Sequence, residues 1–248
     1  TMAKIDMQSL SSRVPESELA LELQPVASQF NQLLARLEKG IEREKRFSAD
    51  IAHELRTPLT ALLSLHELAV EECQDGSLED PGAYSADALM LTQHLHRLTE
   101  TLSQLHDAGM ERHKIDWESV SLIQLLESTW KDCEDEASGR QITWTHEGPR
   151  DSRAMTDASI ARALIYNLLN NAVRYAADGS TIQCTVTETP EHVDLTISNP
   201  ATDLDQQDMK FLTEAFWQKD LSRTDAKHVG LGLTLVASYA RLLHAELS

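Results

Sequence analysis

Between residues 30 and 55, apolar side chains recur in a pattern that leaves the chain few folding options. Phe30, Leu34, Leu37 and Ile41 alternate steps of four and three, and Phe47, Ile51 and Leu55 continue the stripe. Such spacing is the seam of a coiled coil, carried on one edge of a helix many turns long. The charged run over 38–46 falls between seam positions and forms a solvated face. A seam on a first helix has no partner inside that helix, so it implies dimerisation. A second stripe, Leu91, Leu95, Leu98, Leu102 and Leu105, repeats the four-three spacing. The intervening residues 74–82 are dense in turn formers. Two long helices on a short loop make an antiparallel hairpin, and two hairpins make a four-helix bundle. The expected first module is therefore an all-α homodimer, joined through residues of about 30–106.

The first helix is expected over 19–72 and the second over 84–106, with Ala108-Gly109-Met110 as the hinge out of the bundle. Residues 1–18 are polar and read as a linker or the end of a preceding module. Beyond Asp116 the periodicity changes. The pattern predicts an amphipathic helix over 120–133 and a strand over 141–146. A helix capped by Thr156 or Asp157 should run to about 176. Asp178-Gly179 is a turn, strands over 181–187 and 193–199 pair antiparallel, and a last helix covers 230–243. This mixture predicts an α/β sandwich with helices on one face of a mixed sheet.

Three stretches carry chemistry. In the first helix, His53 is followed directly by Glu54, and Thr57 lies one turn on, where side chains on a helix can meet. Pro58 removes a backbone donor within that helix, frees the carbonyl one turn earlier and should bend it. The chain holds 10 histidines, and a lone histidine on a helix is usually surface decoration; the carboxylate and the proline beside this one set it apart. In the second stretch, Asn167 and Asn171 are one turn apart, and Arg174 and Tyr175 follow on the same face. An amide oxygen, a cation and an aromatic ring on one face suit magnesium, phosphate and a purine, although a plain polar surface is an alternative. The third, Gly230-Leu231-Gly232-Leu233, enters a helix; glycines permit close backbone approach, and a helix N-terminus favours phosphate.

Charge and cysteine content narrow the partners. The net charge of −18, from 40 acidic and 22 basic residues, disfavours nucleic acid and adsorption on an anionic membrane face. Cys73, Cys133 and Cys184 lie far apart without metal-ligand spacing, as free thiols in a reducing compartment would. No run approaches the ~18–20 apolar residues of a membrane span, so the chain is expected to be soluble. The start at Thr1-Met2-Ala3-Lys4 reads as an arbitrary cut, which leaves room for a membrane part before it.

His53-Glu54-Leu55-Arg56-Thr57-Pro58-Leu59-Thr60 matches at every position the phosphoacceptor box of two-component sensor histidine kinases, and the chain resembles that family over roughly 19–245. Residues 167–175 resemble the N-box of the Bergerat ATP-binding fold, and residues 230–236 its second glycine box. The resemblance implies a signalling helix over 19–46 entering from a HAMP-like module, a dimerisation and phosphotransfer domain over 47–110, and an ATP-binding domain over 111–248. It implies that His53 takes the γ-phosphoryl group of ATP and passes it to the receiver-domain aspartate of a response regulator. Glu54 would orient the imidazole, and Thr57 would position a water for dephosphorylation of that regulator. Asn171 would ligate the magnesium on the ATP phosphates, supported by Asn167. Arg174 would contact phosphate oxygens, Tyr175 would pack near adenine, and Gly230, Leu231, Gly232 and Leu233 would approach the phosphates beneath a lid over 217–229. The full-length protein would then be a bacterial inner-membrane protein and this chain its cytoplasmic portion.

The family's first glycine box is altered. Asn199, Pro200, Ala201, Thr202 and Asp203 stand where Asp-x-Gly-x-Gly is usual, so Asn199 would accept the adenine hydrogen bond without a full charge. Of the phenylalanine box Phe216 remains, with Thr213 at its usual partner's position. The family also carries a strand or hairpin after the last helix, so the C-terminus is expected to be truncated. Two other readings stay open: a degenerate member acting mainly as a response-regulator phosphatase, and a non-enzymatic helical dimer that recruits a partner.

Overall fold

The structure is a computed structural model that describes residues 13–15, 20, 22–76, 80–109, 114–200, 205, 208–219 and 230–248. The chain packs as two units, 1–57 and 58–248, and helix α1 (Gln24–Asp75) contributes its first part to one and the remainder to the other. In the first unit the seam is helical, as its spacing predicts. The helix starts at Gln24; residue 19, its expected start, and most of the expected linker over 1–18 lie outside the described residues. Phe30 and Leu37 of the seam are 49% and 47% exposed in this single chain. Residues 13–15 are tied to the helix. The Asn31 amide donates to the Val14 carbonyl (3.0 Å), its oxygen accepts the Val14 N–H (2.9 Å), and Arg13 pairs with Glu38 at 2.6 Å.

In the second unit, α2 spans Pro81–Gly109, longer at both ends than the pattern predicts. Pro81 and Gly82, expected in the turn, are its first residues. Asp80 Oδ1 accepts the N–H of Gly82 (2.9 Å) and of Ala83 (3.0 Å), and proline suits a first helical position because it has no N–H to leave unpaired. The expected turn residues 77–79 lie outside the described residues. His66 of α1 meets Tyr84 of α2 edge to face at 5.5 Å. Within the second stripe Leu98 is fully buried. At the far end the helix runs through Ala108 and Gly109, where a hinge is expected. Ala108 is buried with Ile160, Leu235 and Tyr239, and Leu105 packs beside them, so tertiary contact holds the last turn. Met110 lies outside the described residues.

The pattern over 120–133 resolves into the end of a strand and a shorter helix rather than one helix. Strand β1 (Glu118–Ser121) pairs antiparallel with β3 (Arg153–Thr156), Val120 opposite Ala154. The Ser121 hydroxyl then accepts the Gln124 N–H (3.4 Å) and starts α3 (Leu122–Trp130), and α4 (Glu134–Gly139) follows. The amphipathic stripe is real, but a serine N-cap moves its start to residue 122. A second sheet has the order β2-β4-β5: β2 (Thr143–Glu147) is parallel to β4 (Thr181–Glu188), which is antiparallel to β5 (Val193–Ser198). Ile182, Cys184 and Val186 alternate into the core. There they share a cluster with Leu126 and Trp130 of α3 and with Ile165, Leu169 and Val173 of α5 (Ala158–Tyr175).

Of the two expected caps, Asp157 starts α5 and Thr156 ends β3. Asp157 Oδ1 accepts the N–H groups of Ser159 (3.0 Å) and Ile160 (3.1 Å), and Oδ2 accepts that of Asp116 (3.0 Å). Burial pushes this carboxyl up, but the Ser159 hydroxyl and the three backbone donors outweigh it and lower its pKa. The last helix, α6 (Gly232–Leu242), packs against both α5 and α2.

Candidate active site

The phosphoacceptor candidate is built entirely within α1. Its turns place His53 outward, with 74% of the side chain exposed, and Glu54 Oε1 lies 3.5 Å from His53 Nδ1. That contact leaves Nε2 as the ring nitrogen facing solvent. Thr57 does not meet the imidazole: its hydroxyl donates to the His53 backbone carbonyl at 3.2 Å. Pro58 lies inside the helix and is buried, and α1 continues past it.

In the 58–248 unit, nine sequence-predicted residues line one cavity of about 610 Å³: Asn167, Asn171, Arg174, Tyr175, Asn199, Gly230, Leu231, Gly232 and Leu233. Helix α5 supplies the first four. Asn167 Nδ2 donates to the Ala163 carbonyl (2.8 Å), and its oxygen is 3.6 Å from where a Cβ on Gly232 would sit. The Arg174 guanidinium lies over the Tyr175 ring, 5.2 Å from its centre, so cation and aromatic are presented together. Asn199 follows the end of β5 and reaches the same space.

Gly230 has φ +71°, a conformation that costs an L side chain steric energy. A Cβ there would come within 2.9 Å of the Phe216 carbonyl carbon and 3.0 Å of the Trp217 oxygen. The Phe216 N–H donates to the Gly230 carbonyl (3.0 Å), and Phe216 itself has φ +64°. Phe216 thus clamps the helix entrance through its backbone. Of the expected lid, Trp217 and Lys219 line the cavity, and 220–229 lie outside the described residues, as do Ala201, Thr202 and Asp203 of the altered glycine box. Lys219 pairs with Asp208 at 2.5 Å.

Among the described residues no group of three or more His, Cys, Asp or Glu side chains could hold a metal by itself. Asn170, in the cavity wall, has a buried side-chain oxygen with no hydrogen-bond partner. A pocket offering amide oxygens beside the Arg174 cation suits magnesium brought in by phosphates.

A family model described as the His Kinase A (phospho-acceptor) domain matches residues 43–110. Another, described as the histidine kinase-, DNA gyrase B- and HSP90-like ATPase, matches residues 156–248. The chain thus carries the phospho-acceptor and ATPase domains of a histidine kinase. Sensor protein CzcS of Cupriavidus metallidurans is 29% identical over 240 residues, covering 96% of this chain and 50% of that protein. Sensor protein BasS of Escherichia coli is 29% identical over 231 residues, 91% of this chain and 60% of that one. The chain therefore spans about half the length of curated relatives such as CzcS. Among solved structures, Acinetobacter baumannii histidine kinase AdeS shares the fold with TM-score 0.61 at 20% identity, covering 76% of this chain and 86% of that chain. Histidine kinase ThkA, solved in complex with response regulator protein TrrA, has TM-score 0.59 at 19% identity over 74% of this chain and 55% of that one.

The cavity also has walls that the motifs do not announce. Arg97, Glu100 and Gln104 of α2 line it, together with Tyr166 of α5. Their spacing places the three α2 residues on the polar side of a leucine-striped helix, and only tertiary docking makes that side a pocket wall. Tyr166 stands one turn before Asn170, whose amide donates to its hydroxyl at 3.4 Å.

Proposed function

We propose that this chain is the catalytic portion of a sensor histidine kinase, autophosphorylating on His53 with ATP and passing the phosphoryl group to a response-regulator aspartate. One observation carries the reading: every sequence-predicted nucleotide residue opens onto a single cavity, while the His53–Glu54 pair is held on an exposed helix face. In the forward step His53 Nε2 attacks the γ-phosphorus of ATP. An N–P bond forms, the bond from that phosphorus to the β,γ-bridging oxygen breaks, and ADP leaves. Glu54 holds the Nδ1 proton and stabilises the imidazolium that develops, keeping the ring in the reactive tautomer. Arg174 neutralises charge on the phosphate oxygens, and Tyr175 and Asn199 hold the base. Asn171, supported by Asn167, would hold magnesium, whose role is to offset phosphate charge. Gly230, Leu231, Gly232 and Leu233 bring the start of α6 against the phosphates. In the reverse direction the Thr57 hydroxyl turns from the His53 carbonyl to hold a water against the phosphorylated regulator.

We assign residues 19–46 to a signalling helix, 47–110 to dimerisation and phosphotransfer, and 111–248 to ATP binding. Exposed seam residues such as Phe30 and Leu37 favour a homodimer. The full-length protein is membrane-anchored in this reading; among the described residues no helix is long and apolar enough to cross a membrane. Labelled ATP with magnesium tests the core claim on the wild type, His53→Ala and Asn171→Ala. Label on the wild type alone is expected. Label retained on His53→Ala refutes the phosphoacceptor assignment, and an unlabelled, folded, dimeric wild type refutes the kinase.

A further inference from the structure

The last turn of α5 presents Asn171, Arg174 and Tyr175, yet nothing local ends the helix well. Its C-cap, Ala176, has φ −66° and ψ 147°, so the chain leaves in an extended conformation. The position after the cap is Ala177 rather than the left-handed glycine that commonly folds back there to satisfy the terminal carbonyls. Arg140, which follows α4, supplies the missing donors. Nη1 donates to the carbonyls of Val173 (2.7 Å) and Arg174 (2.8 Å), and Nη2 to that of Ala176 (2.8 Å). Asp178 fixes the guanidinium from the other side, accepting from Nε at 2.8 Å and lying 2.7 Å from Nη2. The Arg140 carbonyl accepts the Gly179 N–H (3.0 Å), and the Ala177 N–H reaches the Pro200 carbonyl (3.3 Å). One side chain thus spans the end of α5 and its exit, and that exit is hydrogen-bonded to the residue after Asn199.

We infer that Arg140 is a positioning residue for nucleotide binding, an outside cap that fixes the turn carrying Asn171, Arg174 and Tyr175 against the cavity. The inference rests on that cavity being the ATP site. Two physical effects act together. The planar fork ties three carbonyls in a fixed arrangement, which a lysine ammonium does not reproduce. The cation also offsets the negative end of the helix dipole, which would otherwise oppose an anionic ligand held by the last turn.

The test uses the full chain and MgATP, with binding followed by tryptophan fluorescence, since Trp217 is among the cavity-lining residues. Titration well below the unfolding transition is run on the wild type, Arg140→Lys, Arg140→Ala and Asp178→Asn, with thermal unfolding alongside. Arg140→Lys should stay folded and bind MgATP about tenfold or more weakly, since small misplacements of a binding constellation are costly. Asp178→Asn, changed at an exposed position, should lose affinity in the same direction by less, and added guanidinium should restore part of the affinity of Arg140→Ala. If the arginine were purely stabilising, its replacement would lower the unfolding temperature and leave the dissociation constant unmoved. A folded Arg140→Lys or Asp178→Asn with wild-type affinity overturns the inference alone. A wild type that binds no MgATP overturns the ATP-site reading and this inference with it.

Discussion

Replacing Gly230 with alanine should damage the 58–248 unit out of proportion to the single methyl added. The φ of +71° becomes a left-handed conformation for an L residue, worth about 1–2 kcal/mol. The new Cβ also lies 2.9 Å from the Phe216 carbonyl carbon and 3.0 Å from its Cα and from the Trp217 oxygen. Those are backbone atoms, so no rotamer change relieves the contact, and overpacking of this kind adds about 1–3 kcal/mol. A sum near 3 kcal/mol corresponds to a fall of about 6–12 °C in unfolding temperature for a unit of this size. Calorimetry on the full chain, with and without MgATP, is the assay. The Phe216–Gly230 hydrogen bond should loosen with the strain, so the stabilisation that MgATP confers should shrink as well. An alanine variant that unfolds within a degree or two of wild type, with an undiminished nucleotide shift, would refute the reasoning about this turn.

Gly40 gives the opposite sign: it lies inside α1, and a Cβ added there would meet no atom within 4 Å, so Gly40→Ala should stabilise the helix by about 0.5–1 kcal/mol, read by chemical denaturation. Asp157→Ala should cost about 0.5–2 kcal/mol as a lost helix cap, also read by denaturation. Because the folded state lowers the Asp157 pKa, its contribution is complete above the unfolded value of about 3.9 and disappears as pH falls through the folded one; the alanine variant should show a flatter acid limb below about pH 4. Burial raises the thiols of Cys133 and Cys184 to about 11, whereas Cys73 is exposed, so a thiol reagent near neutral pH should find one fast cysteine in the native protein and three after denaturation.

Local rules were sufficient wherever one periodicity ran uninterrupted. The seam from Phe30 through Leu55 became one helix, and the face carrying Asn167, Asn171, Arg174 and Tyr175 became one wall of one cavity, because helical spacing fixes both. Boundaries failed where a side chain intervened: Asp80 turned Pro81-Gly82 from a loop into a helix start, and Ser121 cut a stripe that otherwise continued from Val120. Short β1 and β3 carry too few residues to show alternation, and their pairing joins segments more than thirty residues apart. Arg140 was invisible for a related reason. An arginine between a six-residue helix and a strand has no local pattern, and its role exists only once the end of α5 is brought beside it. The cavity walls from α2 likewise depend on docking between distant segments, which no short-range spacing encodes.

The shared core of Leu105, Ala108, Ile160, Leu235 and Tyr239 bears on how this protein can be taken apart. A fragment begun near residue 111 looks natural from the motifs, but it strips a greasy lining from Ile160 and Tyr239 and removes the α2 side of the cavity. Such a fragment would be stickier and would present a shallower pocket than the intact chain. Affinities measured on it would describe a different receptor, and any ligand chosen against it would be fitted to a wall that is missing.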